Sequence, residues 1–208
     1  MCYSAEVSLA AYLVGLYGCS ILWQHNLKSE AVFYGWVVQM QLIEYLMWLN
    51  HDCGSNNREI TKWGIIINHL EPFVLWLAIM YFQQVTLPRW LNVAMVLFGL
   101  VTIWYTKVVY NVPNGSASSC TQVTEESKPH LYWAWNEGSY ANEYYLLFLL
   151  SLVLLSWYGL GKNGDIHAVL VLLSFAVSKY VYEKSHATGA LWCLAAAAAP
   201  VAILMTYR

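Results

Sequence analysis

Glu44, His69 and Glu71 are costly side chains where they stand. Glu44 falls in the stretch Val38–Trp48, inside an apolar run from Ala31 to Leu49 that is long enough to cross a bilayer as a helix. His69 and Glu71 fall in a second run, with Asn68 just before them and Pro72 just after. A carboxylate at the centre of a membrane helix costs roughly 2.5–3.5 kcal/mol on insertion scales. At helical spacing Tyr34, Gln41, Glu44 and Trp48 share one face, which must turn away from lipid. A third run adds Lys179. Counted from one side of the membrane, Glu44, His69, Glu71 and Lys179 come out about 4–11 residues in, or about 6–17 Å at 1.5 Å per residue. Overlapping depth on different helices points to one polar pocket lined by Gln41, Glu44, Asn68, His69, Glu71 and Lys179. Its chemistry is cation binding or proton transfer. Lys179 would offset Glu44 or Glu71, and the other carboxylate would take the ion. Pro72 has no N–H, so a helix broken there leaves the Asn68 carbonyl without its partner. Such a break is tolerated at membrane depth only facing protein or water. The alternative is a buried ion pair that fixes helix register and binds nothing. Gln39 and Gln41 then read as hydrogen-bonding groups between helices.

Seven spans would position these residues, at about 7–23, 31–49, 60–82, 90–106, 144–159, 167–183 and 190–207, in one all-α domain covering 1–208. Ser4 can cap the first span, with Glu6 in its first turn. Ala11, Gly15 and Cys19 form a small-residue stripe that lets a neighbouring helix come close. The fifth span is nearly featureless and reads as lipid-facing, the sixth carries Ser174 and Ser178, and the seventh is rich in Ala and interrupted by Pro200. Residues 107–142 form the one long connection. Its aromatic part, His130–Trp135, is expected on the headgroup layer or over the mouth of the bundle.

Composition agrees with a bundle in lipid. Of 208 residues 59% are apolar and only 11% charged, against about 25% charged in soluble domains. Eleven Trp and sixteen Tyr suit aromatic belts, in which Trp48, Trp63 and Trp192 would take part. The net charge of −2 gives no reason to expect nucleic acid as a partner. The start lacks a basic region before its first apolar run, so no cleaved signal is expected. An odd number of spans puts the ends on opposite sides. Lys and Arg do not decide the orientation. Cys53 and Cys120 fall on one side, where they can pair in an oxidising compartment, and the acceptor pattern Asn114-Gly115-Ser116 falls there too. Both favour the N-terminus outside and the C-terminus in the cytoplasm.

The opening Met1-Cys2-Tyr3-Ser4-Ala5 followed by Ser8, the set Gln41, Glu44 and Trp48, and Trp192-Cys193 before Ala195–Ala199 carry a resemblance. They resemble an uncharacterised family of small polytopic membrane proteins of bacteria and large DNA viruses, which opens Met-Cys-Phe-Ser-Ala. The resemblance implies no activity. It directs attention to Cys2 and Ser4, which would tuck into the bundle beside the Glu44 face as a plug.

The expected function is passage of a proton or small cation, with the bilayer as the chain's first partner and a second copy as a possible route to a complete pathway. One alternative is a seven-span sensory protein that holds a ligand or chromophore. Another is an intramembrane enzyme acting on lipid, with Ser4, His69 and Glu71 as a hydrolytic set. No cofactor is expected. The intramembrane lysine lies on span six, where the rhodopsin families that hold retinal carry theirs on span seven. No Cys-x-x-Cys and no pair of His at i, i+4 marks a metal site.

Overall fold

The computed structural model describes residues 4–82, 85–111, 119–123, 130–182 and 188–206. The chain is mostly helical. Its elements are α1 (Ala5–Gln24), α2 (Lys28–Val37), α3 (Gln39–Leu49), α4 (Ser55–Phe82), α5 (Arg89–Tyr110), the short strands β1 (Gln122–Val123) and β2 (Leu131–Tyr132), α6 (Ala141–Gly159), α7 (Gly164–Tyr182) and α8 (Thr188–Thr206). Among the described residues α1, α4, α5 and α6 are long and apolar enough to cross a membrane, as an integral membrane protein requires. Their outward faces are apolar. On α5, Val93, Val96, Leu97, Leu100 and Ile103 are all exposed, a helical stripe that water would not tolerate at this extent.

Local chemistry explains several helix ends. Ser4 Oγ accepts from the Val7 N–H at 3.3 Å and starts α1, with Glu6 in the first turn. The break between α2 and α3 falls at Val38, where one continuous span was expected. No Gly or Pro marks it. The Gln39 side chain donates to the Gly35 carbonyl at 2.8 Å, beside the break. Val38 itself packs against Gly15 of α1, where a Cβ would lie within van der Waals overlap of its side chain. Packing set this break, and sequence carried no local signal for it.

Two prolines behave differently from expectation. α4 runs unbroken through Pro72, and α8 runs unbroken through Pro200. The Trp36 indole N–H donates to the Ile67 carbonyl at 2.9 Å, one turn before Pro72. Gly18 faces the Pro200 ring, and a Cβ there would come within 2.7 Å of it. The small-residue face of α1 therefore includes Gly18 as well as Gly15 and Cys19, and it closes on α8 and Val38. α6, expected to face lipid, does so on one side, where Leu146, Leu147, Leu150 and Trp157 are exposed. It buries Tyr144, Phe148, Ser151, Leu152, Leu155 and Ser156 against its neighbours. Both sides are apolar, so composition could not tell the packed side from the exposed one.

The long connection is tied down over α4. Cys53 and Cys120 are bonded to each other. Next to them the Thr121 N–H donates to Asn57 Oδ1 at 2.9 Å, Asn57 Nδ2 donates to the Thr121 carbonyl at 2.8 Å, and the Thr61 and Thr121 hydroxyls are 3.0 Å apart. β1 and β2 pair antiparallel, Gln122 with Tyr132 and Val123 with Leu131. The turn that follows buries Trp133 and Trp135, stacked at 5.4 Å. The pattern Asn114-Gly115-Ser116 lies outside the described residues.

Candidate functional site

The α4 residues Asn68, His69 and Glu71 are all buried, and they are joined to α5 and α6. Asn68 Nδ2 lies 3.5 Å from Glu71 Oε1. The Tyr145 hydroxyl donates to Asn68 Oδ1 at 2.9 Å and lies 3.4 Å from His69 Nε2. His69 Nδ1 is 2.8 Å from the Thr106 hydroxyl. One neutral tautomer, donating from Nε2 to the Tyr145 oxygen and accepting at Nδ1 from the Thr106 hydroxyl, serves both contacts. The rings of Tyr105, Trp135, Tyr144 and Tyr145 surround the imidazole with centroids 4.8–6.3 Å away. Trp135 comes from the tied-down connection, so the disulfide end of the molecule closes over His69.

Glu71 also faces a cleft of about 620 Å³. Its walls come from α2, α6, α7 and α8 and are almost wholly apolar. Phe33, Val37, Leu152, Leu170 and Val171 line it, with the Ala run of α8 opposite. Its polar members are Tyr34, Glu71, Ser174 and Ser178, and Trp192 donates to Ser174 Oγ at 3.0 Å. The rim is apolar and open. Leu173 and Val177 of α7 are each 58% exposed, and Ala195 and Ala198 of α8 are exposed too. The size lies in the range of small-molecule sites, about 300–1,000 Å³, which are likewise apolar with a few placed polar groups.

The remaining predicted residues stand elsewhere. Gln41 and Glu44 are fully buried on α3, where Gln41 Nε2 donates to Glu44 Oε2 at 2.9 Å. The hydrogen bonds of His69 and Asn68 run to Thr106 of α5 and Tyr145 of α6. Gln39 bonds along its own segment, where a bond between helices was expected. Lys179 is exposed in the last turn of α7. Cys2, expected to plug the bundle, lies outside the described residues, and Ser4 caps α1. Trp63 is exposed as a belt residue would be, while Trp192 is a wall of the cleft.

Sequence reading missed Tyr145 and Thr106, because a Tyr at a helix start and a Thr at a helix end look like interface residues. It also missed Glu30 and His167, both fully buried near helix ends on the other side of the bundle. Their signal was present: Glu30 stands just before the span expected at 31–49, and His167 opens the span expected at 167–183. No protein-family model, curated protein or solved structure matches this chain.

Proposed function

We propose that the chain is an integral membrane protein of seven spans, α2 and α3 together forming the second, and that it binds an amphiphilic amine in the cleft between α7 and α8. The observation that carries the reading is the carboxylate of Glu71 on an otherwise apolar cleft. An apolar body suits the walls, and a cationic head suits a buried carboxylate that has no lysine or arginine within the lining. The open apolar rim supports entry from the bilayer. Asn68, held by Tyr145, positions the carboxylate.

The test is a titration of a fluorescent alkylamine, and of the alcohol of the same chain, into the protein in nanodiscs. The amine should saturate and bind at least about tenfold more tightly than the alcohol, as a charge-assisted hydrogen bond is worth about 1.5–3 kcal/mol. Glu71→Gln should remove the difference. Equal affinity for amine and alcohol in the wild type would overturn the reading.

Passage of a proton or small cation is the second reading. Buried polar groups at successive levels favour it: Glu30, then Tyr34 and His167, then Glu71, then Asn68, Tyr145 and His69. It requires proton or cation flux into liposomes that Glu71→Gln abolishes, and absence of flux under voltage, pH and cation gradients removes it.

A further inference from the structure

At the end of the molecule opposite the disulfide, α2 and the start of α7 meet through two rungs. Glu30 and Tyr34 are one turn apart on α2, and Asn163 and His167 are one turn apart where α7 begins. The Asn163 side chain lies against the Glu30 carboxyl. The Tyr34 hydroxyl lies 3.2 Å from His167 Nδ1. Glu30, Tyr34 and His167 retain 1%, 2% and 0% of their surface. Yet Glu30 Oε2 and His167 Nε2 have no hydrogen-bond partner among the described residues. Of the four side chains, Tyr34 is the one that also lines the cleft.

We infer that Glu30 and His167 form a proton-binding site that controls the cleft through Tyr34, an inference that rests on the cleft being a ligand site. The ring has two nitrogens and the hydroxyl one proton, which fixes the coupling. With His167 neutral and protonated on Nε2, the Tyr34 O–H donates to Nδ1. The phenol oxygen then presents only acceptor capacity to the cleft. When a proton from solvent binds Nδ1, that N–H donates to the Tyr34 oxygen. The phenol O–H must turn away, toward the cleft, and Glu30, one turn from Tyr34 on α2, is the carboxyl on that corner. A cationic head is accepted in the first state and opposed in the second, so proton uptake expels it. The groups that bear on this corner are Glu30 and Tyr34 from α2, Cys19 from α1 and His167 from α7. Lys162 and Asp165 are exposed beside it, Tyr158 is exposed in the last turn of α6, and α8 brings Cys193 to the cleft near Glu71.

The experiment has two arms, both on the full chain in nanodiscs. In the first, nitrogen NMR of labelled histidine follows His167, assigned by its loss in His167→Gln. The expected result is a proton gained at Nδ1 between about pH 4 and about pH 7; no change over that range overturns the proposal. In the second, alkylamine affinity is measured across the same range in wild type, His167→Gln and Tyr34→Phe. The wild type should lose at least about threefold more affinity on acidification than either variant, whose remaining loss reports Glu71. An equal loss in all three overturns the proposal. If the amine binds at no pH, the cleft reading fails on its own, and the NMR arm still decides whether this corner takes up a proton.

Discussion

Two of the buried histidines, His69 and His167, are finished in different ways. Both nitrogens of His69 have partners, Thr106 and Tyr145, and aromatic rings close around it. His167 has Tyr34 on one nitrogen and nothing on the other among the described residues. The carboxylates follow suit. Glu71 is braced by Asn68, while one oxygen of Glu30 is left without a partner. Buried polar groups that are fully paired hold a fold in one state. Those left short are where a fold can change state or take a ligand. The disulfide end, held by its covalent tie, the Asn57–Thr121 bonds and the rings packed around His69, reads as an anchor even though the Tyr105 hydroxyl and the Trp133 and Trp135 indoles there also lack partners among the described residues. The opposite end, where the groups left short include the ionisable Glu30 and His167, reads as the part able to respond, with the cleft between them.

Substitutions should separate the ends by size of effect. The largest is expected for His69→Ala, which leaves Thr106 and Tyr145 short of a partner and opens a hole among rings. Unfolding in detergent, followed by near-UV circular dichroism, should show a loss of about 3–5 kcal/mol; a loss under about 1 kcal/mol would erase the distinction. Cys53→Ser should cost about 2–4 kcal/mol on the same measurement, since it frees a long loop in the unfolded chain. The reduced wild type should match it. Tyr145→Phe should cost about 1–3 kcal/mol by leaving Asn68 and His69 under-satisfied. The smallest effect belongs to Tyr34→Phe, at about 1–2 kcal/mol, since it leaves one buried nitrogen of His167 unsatisfied where Tyr145→Phe leaves two groups short. If Tyr34→Phe proved costlier than Tyr145→Phe, the assignment of anchor and responsive end would be reversed.

Much of the framework was legible because membrane helices are written in long apolar runs. The helices observed coincide with the predicted runs to within a few residues, and the α2/α3 break at Val38 escaped because no residue type there demands it. The α4 residues Asn68, His69 and Glu71 stood out by cost alone. Depth could not say which of these residues share hydrogen bonds, since depth along a normal carries no information on angle around the bundle. Lys179 shows the same limit: its sequence position allowed an inward or an outward rotamer, and the helix rotation chose outward. The cleft was invisible in sequence. Alanines on α8 pack closely where they meet α1 and leave space where they meet α7, and only the packing distinguishes the two.

The central claim is that this space holds a ligand. Its most direct test is native mass spectrometry of the purified protein equilibrated with an alkylamine, wild type beside Ala198→Trp, which places an indole at the mouth of the cleft. The account predicts a single saturable amine on the wild type and none on Ala198→Trp, with unfolding temperatures that agree. Equal occupancy of the two proteins would contradict it.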